Sequence, residues 1–205
     1  SISRNVLFLG LTSLLTDVSA EMIATTLPLY LAFSLRLAPL ELGIIDGIYQ
    51  GAAALVKLAS GYVADRWQRH KEVAMTGYGL SALCKLGLLG AGANWAALAG
   101  VTLVDRIGKG IRTAPRDAII AASTPKDQFG TAFGAHRALD TAGAMLGPLI
   151  ASALLAFTAN AYDAIFVVSF CFALVGFAVL TLFVQNRRTT DNVIEGSRAN
   201  VKNIA

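Results

Sequence analysis

Charged side chains are scarce in this sequence. Asp, Glu, Lys and Arg make up 15% of the residues, whereas hydrophobic residues make up 55%. Soluble domains carry about 25% charged residues. The apolar residues here form long runs, and a helix needs about 20 of them to cross a bilayer. The composition therefore excludes an ordinary soluble domain and predicts an all-α, polytopic membrane protein in contact with the lipid bilayer.

Cysteine is nearly absent, and several chemical signatures are missing. Cys84 and Cys171 lie in apolar runs without C-x-x-C spacing, which favours buried free thiols over a metal site or a disulfide. No phosphate-binding loop is present, which argues against ATP-driven pumping by this chain. The formal net charge of +4 is not arranged as a basic face with interleaved aromatics, so no nucleic-acid partner is expected. We expect no metal and no cofactor.

Six segments of the sequence predict six transmembrane helices. They run over about 5–35, 41–64, 73–91, 95–121, 130–157 and 164–184, each long enough to span. After Val184 the composition becomes polar and poor in aromatics, which is typical of a linker or tail. We therefore predict a six-helix bundle over 1–185 and a polar cytoplasmic linker or tail over 186–205.

Basic residues mark one side of the predicted bundle. Arg4, the 66–71 cluster, Arg116 with Lys126, and Arg187 with Arg188 all fall on the same side of the membrane, and only Arg36 falls on the other. Short loops rich in Lys and Arg stay in the cytoplasm. Both termini are therefore predicted to be cytoplasmic.

Ionisable residues inside the predicted spans point to function. Each costs at least about 2.5–3.5 kcal/mol near the bilayer centre, so it normally faces a bundle interior or a wet cavity. Asp17 and Glu21 lie one turn apart on the first span, Lys85 interrupts the third, and Asp105 and Arg106 lie midway along the fourth. We predict that these five residues line a substrate or proton cavity, with Asp17 or Glu21 titrating. Charges nearer the span ends are interpreted as structural pairs or interfacial groups: Lys109, Arg112, Arg116, His136 and Arg137.

Glycines at four-residue spacing give a second signal. The fifth span contains Gly143, Gly147 and Pro148, a small-xxx-small face that allows close helix packing, followed by a residue that distorts helices. The second span has Gly43, Gly47 and Gly51, for which we also expect close packing.

These residues together resemble the N-terminal half of a major facilitator superfamily transporter. The loop between the second and third spans reads G-x-x-x-D-R-x-x-R-x-K, at Gly61, Asp65, Arg66, Arg69 and Lys71. The fourth span carries R-x-x-x-G at Arg106 and Gly110, and the fifth carries G-x-x-x-G-P, a pattern associated with exporters. The family usually has Gly at Gln68, a basic residue at His70 and Gly at Ala151. The resemblance covers about residues 5–185. Within the superfamily, the sequence is similar in pattern to a bacterial branch of presumed exporters.

The resemblance implies a fold and a division of roles. The first and fourth helices would line the central cavity, and the motif from Gly61 to Lys71 would form a gate on the cytoplasmic side. A full transporter of this family has two six-helix halves. A second half is therefore expected, from a longer chain, a separate chain or a second copy. The implied location is a bacterial inner membrane.

The sequence thus predicts half of a secondary active transporter. It would move a small polar or charged solute by alternating access, with proton-coupled export expected and no catalytic residues. A cationic interior favours an anionic or zwitterionic solute. A non-transporting scaffold or assembly factor is the alternative. A six-helix intramembrane enzyme is a second alternative. However, the sequence lacks the serine and histidine motifs of an intramembrane protease and the set of carboxylates that a metal-dependent phosphotransferase needs.

Overall fold

A computed structural model describes residues 3–34, 39–67, 69–91, 94–158 and 162–185. These ranges form six α-helices and contain no strand: α1 (Arg4–Ser34), α2 (Pro39–Trp67), α3 (His70–Ala91), α4 (Trp95–Ala122), α5 (Phe129–Phe157) and α6 (Tyr162–Phe183). The predicted bounds agree with these helices to within a few residues. The all-α prediction is confirmed. The predicted tail over 186–205 lies outside the described residues.

Local sequence explains where two helices begin. Pro39 opens α2, where a residue without an N–H is tolerated and its fixed φ suits a helix start. Asn94 caps α4, because its Oδ1 accepts hydrogen bonds from the N–H groups of Ala96 and Ala97 at 3.1 and 3.2 Å. Pro148 lies inside α5, which a membrane bundle tolerates better than a soluble one.

Among the residues that the structure describes, four helical segments are long and apolar enough to cross a membrane: Arg4–Leu29, His70–Ala91, Lys126–Phe157 and Tyr162–Phe183. The chain is therefore a multi-pass membrane protein. Helices α2 and α4 do not meet the same measure of apolar character, since α4 is rich in charge and α2 is diluted by polar and small residues. Six helices are confirmed, and spanning by α2 and α4 stays a prediction.

Most neighbouring helices in the bundle are not neighbours in chain order. Helix α1 packs against α5 and α6, α4 packs against α2 and α3, and α3 also meets α6. Side-chain hydrogen bonds join several helix ends on one side. Asn5 donates to Ser123 Oγ at 2.7 Å and to the Gln185 carbonyl at 3.0 Å, and Lys71 Nζ donates to the Thr181 carbonyl at 2.9 Å. We call this side the Asn5 end of the bundle.

Gly143 and Gly147 allow α5 to approach α1 closely. A Cβ at Gly143 would lie 2.5 Å from the Leu14 carbonyl oxygen, and one at Gly147 would lie 2.7 Å from Glu21 Cβ. Any larger residue would push the two helices apart. The close packing expected at Gly43, Gly47 and Gly51 is wrong for the described chain, because a Cβ at any of them would meet no atom within 4 Å. The reason is that this face of α2 is turned away from the rest of the bundle.

Candidate functional site

A cavity of about 270 Å³ opens between α1, α4 and α5, and most of its lining is ionisable. The carboxylates are Asp17, Glu21 and Asp140, and the basic residues are Lys109, Arg112, Arg116 and Arg137, with Thr113, Thr141 and Ala144 completing the wall. Four basic groups therefore face three acidic ones.

Helical periodicity places these side chains on three facing stripes. Ser13, Asp17 and Glu21 recur every four residues along α1, so they share one face. Lys109, Arg112 and Arg116 form a stripe on α4, with spacings of three and four residues. Arg137, Asp140 and Ala144 repeat this pattern on α5.

Opposite charges are paired across the helices, and the pairs differ in burial. Arg112 Nη2 lies 3.6 Å from Asp17 Oδ1, with both side chains largely buried. Lys109 Nζ lies 3.9 Å from Glu21 Oε1, and these side chains are 38% and 30% exposed. The Lys109–Glu21 pair therefore forms the solvent-exposed rim of the cavity, whereas Arg112 and Asp17 lie inside it.

Asp140 is the centre of the deepest cluster. Its carboxylate accepts a hydrogen bond from Ser13 and lies 3.5 Å from Arg116 Nη1 and 3.1 Å from Arg137 Nη1. Arg116 Nη1 also donates to Ser13 Oγ at 2.9 Å. We call Ser13, Asp17, Arg112, Arg116 and Asp140 the inner cluster. It connects α1, α4 and α5 at the bottom of the cavity.

Two of the five predicted cavity residues, Asp17 and Glu21, line this cavity. Lys85 and Asp105 instead form an ion pair between α3 and α4, with Lys85 Nζ 2.9 Å from Asp105 Oδ1 and Ser81 donating to the same carboxylate. Lys85 is only 1% exposed. Arg106 does not line the cavity either. Its Nε is buried without a hydrogen-bond partner among the described residues.

The predicted gate residues lie at the Asn5 end. The Asp65 side chain is 73% exposed, with Oδ1 3.9 Å from His70 Nδ1. Arg66 and Arg69 are also exposed, whereas Lys71 reaches the end of α6. A Cβ at Gly61 would lie 3.1 Å from Ala114 Cβ, so this glycine lies against α4. Gln68 lies outside the described residues.

Asp140 is the main cavity residue for which sequence reasoning gave no role. Its position follows from tertiary register, since Gly143 packs on Leu14 and so places the preceding turn of α5 beside Ser13. The charged run at the start of α5 was the available signal. Lys109, Arg112, Arg116 and Arg137 were interpreted as structural pairs, and they are indeed paired, but they also line the cavity. Within the described ranges, no group of three His, Cys, Asp or Glu side chains is placed to hold a metal ion.

A family sequence model and a similar known protein both point to the same family. Residues 9–204 match the sequence model of the Major Facilitator Superfamily. An uncharacterized MFS-type transporter of Methanocaldococcus jannaschii is 35% identical over 205 residues, covering 99% of this chain and 50% of that protein. An uncharacterized protein of Mycobacterium tuberculosis is 37% identical over 160 residues, covering 78% of this chain and 38% of its own length. The chain thus spans about half the length, or less, of these curated relatives.

A solved structure shares the fold. It is described as the structure of a bacterial metal transporter, and it superimposes with a TM-score of 0.65 at 18% identity. The match covers 88% of this chain and 49% of that one. At this level of identity the likeness concerns the fold alone.

Proposed function

The chain belongs to the Major Facilitator Superfamily, and on that premise we propose that it is one half of a secondary active transporter. The observation that carries the proposal is the charged cavity between α1, α4 and α5. Ionisable residues at membrane depth are costly and normally mark a solute or ion pathway. A scaffold protein would be served better by apolar packing at these positions.

The solute is proposed to be small and anionic or zwitterionic. Four basic groups line the cavity against three carboxylates, and each carboxylate already faces a Lys or Arg. A solute with a negative group can replace one of these carboxylates at the rim, where Lys109 and Glu21 are only loosely paired. A bare metal cation would instead meet an excess of positive charge. We therefore do not propose a metal ion as the solute of this chain, although the structural neighbour is described as a metal transporter.

The transport mode is proposed to be proton-coupled export by alternating access about a site at mid-membrane depth. Support for proton coupling comes from the buried carboxylates of the cavity. The export direction rests on the pattern formed by Gly143, Gly147 and Pro148. All six helices would cross a bacterial inner membrane, and the positive-inside rule places both termini in the cytoplasm.

A second six-helix half is proposed to complete the cavity. The chain spans half of its archaeal relative, and α2 presents a row of exposed large apolar side chains, among them Ile44, Ile48, Leu55 and Leu58. A cavity lined from one side only would leave charges facing lipid, which is costly. The partner could be the rest of a longer chain, a separate chain or a second copy.

Two measurements test this proposal. The mass of the purified complex, with denaturing electrophoresis alongside, should reveal either a longer chain or a partner of similar size. Proton flux in vesicles containing that complex should then respond to addition of a small carboxylate or zwitterion. A stable lone six-helix monomer, or flux that no solute changes, would contradict the transporter half and favour the scaffold.

A further inference from the structure

Two carboxyl groups from different helices meet at the bottom of the cavity. Asp17 on α1 and Asp140 on α5 line the same cavity, and Arg112 and Arg116, four residues apart on α4, each contact one of them. Ser13 donates to Asp140 from one turn before Asp17, so it fixes the position of Asp140 relative to α1. Two carboxyl groups can share a hydrogen bond only when one of them carries a proton, and two carboxylates in one site favour holding one.

We propose that Asp17 and Asp140 form a single proton-binding site, in which one proton is shared across the α1–α5 contact. Glu21 is not part of this site, because it pairs with Lys109 at the solvent-exposed rim. The proton site would couple proton movement to the proposed transport function, and the inference rests on that function for its physiological role. The protonation itself can be measured without transport.

The depth of the two residues suits such a site. At 1.5 Å per residue, Asp17 lies roughly 20 Å from the start of α1 and Asp140 roughly 16 Å from the start of α5. Both helices begin at the Asn5 end, so the pair lies near the middle of a hydrocarbon core about 30 Å thick. A proton site at mid-depth can exchange with either side as the bundle rocks.

The charges around the pair allow it to exist in two protonation states. From α4, Arg112 faces Asp17 and Arg116 faces Asp140. From α5, His136 Nδ1 lies 3.9 Å from Asp140 Oδ2, and Nη1 of the exposed Arg137 lies 3.1 Å from the same oxygen. With both carboxyls ionised, Arg112 and Arg116 balance them. With one proton bound, the inner cluster gains one positive charge.

The remaining neighbours of the pair are Lys109 at the rim of the cavity, Tyr78 on α3 and Asp117 near the end of α4. The Tyr78 ring lies under the Arg112 guanidinium at 4.6 Å, and Asp117 pairs with Arg116 at 3.2 Å. Both contacts hold an arginine in place rather than competing for the proton. Protonation is therefore decided mainly by the two carboxyls and their arginines.

An unsatisfied donor supplies an independent indication that something enters this cluster. Arg112 is 3% exposed and lines the cavity, and its Nη1 has no hydrogen-bond partner among the described residues. Buried donors are rarely left unpaired in proteins, so this nitrogen marks a position for water or a ligand atom. Water at this position would lie next to the Arg112–Asp17 pair and provide a route for the proton.

The test is a pH titration of the full native protein in lipid nanodiscs, without solute, followed by infrared spectroscopy. The probe is the proton itself, read from the carbonyl band of a protonated carboxylic acid between pH 4 and 9. The wild type should show a band with one midpoint. D17N and D140N should each abolish it, because the remaining aspartate loses its carboxyl neighbour while keeping its arginine. E21Q should keep the band, and the exposed α2 control D46N should leave both the band and its midpoint unchanged.

A substitution that leaves both carboxyl groups in place still tests the proposal if D17N or D140N fails to fold. S13A removes the hydroxyl that donates to ionised Asp140, so the midpoint should rise by about one pH unit. A band that survives in a folded D17N or D140N, or that disappears in E21Q, would overturn the shared site. An unchanged midpoint in S13A would also overturn it.

Failure of the proton site and failure of the transport proposal give different results. If vesicle flux is present and pH-dependent but D140N keeps the wild-type band, the shared site is wrong and the transporter half stands. If the band behaves as expected but no solute produces flux in the wild type, the proton site stands and the transport proposal fails.

Discussion

Lys85 and Asp105 illustrate, at the scale of single residues, how a buried charge can be structural. The pair is held at 2.9 Å between α3 and α4, with Lys85 1% exposed. Removing one partner of such a pair leaves the other charge buried and uncompensated, whereas replacing both with apolar groups is often neutral. The two kinds of substitution therefore separate a structural pair from a transport residue.

We expect Lys85→Met to lower the free energy of unfolding by about 3–5 kcal/mol, because Asp105 is left without its cation. The double variant Lys85→Met/Asp105→Leu should recover most of that loss. It should also keep vesicle flux, since neither side chain lines the cavity between α1, α4 and α5. The measurements are thermal unfolding in detergent and flux in vesicles. Loss of flux in a stable double variant would contradict a purely structural role and indicate that Lys85 and Asp105 take part in transport.

Sequence reasoning placed Lys85 and Asp105 in the cavity by a rule that is sound on average, since charges at membrane depth face polar interiors. The rule does not say which interior, because that depends on how α3 and α4 are rotated against each other. Asp140 was missed for the complementary reason. Its partner Ser13 lies on a helix distant in sequence, and only the register between α1 and α5 brings them together.

At the scale of helices, prediction was more successful because the signal is local. Long apolar runs, Asn94 as a cap and Pro39 as an opener fix the helix bounds to within a few residues. Glycine spacing gave a mixed result. The spacing on α5 corresponds to contact with α1, whereas the same spacing on α2 corresponds to a face that touches nothing in the described chain. Spacing indicates that a helix could pack closely, but it does not identify a partner.

The α1–α5 contact can be tested with two alanine substitutions in the same helix. Gly143→Ala would place a Cβ 2.5 Å from the Leu14 carbonyl oxygen, so α1 and α5 must separate. We expect a loss of about 1–3 kcal/mol in the free energy of unfolding. Gly134→Ala is the matched control, since a Cβ there meets nothing within 4 Å. It should be neutral, or stabilising by up to about 1 kcal/mol through helix propensity.

Thermal unfolding of the two variants gives the comparison. Equal stability of Gly143→Ala and Gly134→Ala would contradict the close α1–α5 approach. It would also remove the register that brings Ser13 to Asp140, and the inner cluster would then need a different geometry.

At the scale of the whole molecule, the proposed gate would depend on charges at the Asn5 end. Asp65 lies near the C-terminal end of α2, where a negative charge is poorly placed against the helix dipole and benefits from cationic neighbours. Its exposed side chain contributes little to the stability of the bundle itself. The motif would therefore suit a contact that forms and breaks during the proposed transport cycle better than one that stabilises the bundle.

We expect Asp65→Asn to weaken closure of the gate without unfolding the bundle. The reporter is Thr141→Cys on the cavity wall, in a background where Cys84 and Cys171 are replaced. Loss of about 0.5–1 kcal/mol of gate contact should raise labelling from the Asn5 side about two- to five-fold. Asp46→Asn, an exposed carboxylate elsewhere on α2, is the control. Unchanged labelling in Asp65→Asn would count against a gate at this motif.

The proposed second half leads to a final prediction about the exposed face of α2 that carries Gly43, Gly47 and Gly51. A Cβ at Gly47 meets no atom within 4 Å, so the described chain itself can accommodate a larger residue there. If another six-helix unit packs on this face, Gly47→Leu should separate the two units and reduce flux by about tenfold, the effect of about 1.4 kcal/mol. Gly90→Leu on α3 is the matched control, because it also meets open space but lies on a helix that packs against α4 and α6. Full flux in Gly47→Leu, measured beside Gly90→Leu in the same vesicles, would show that α2 faces lipid and that the partner binds elsewhere.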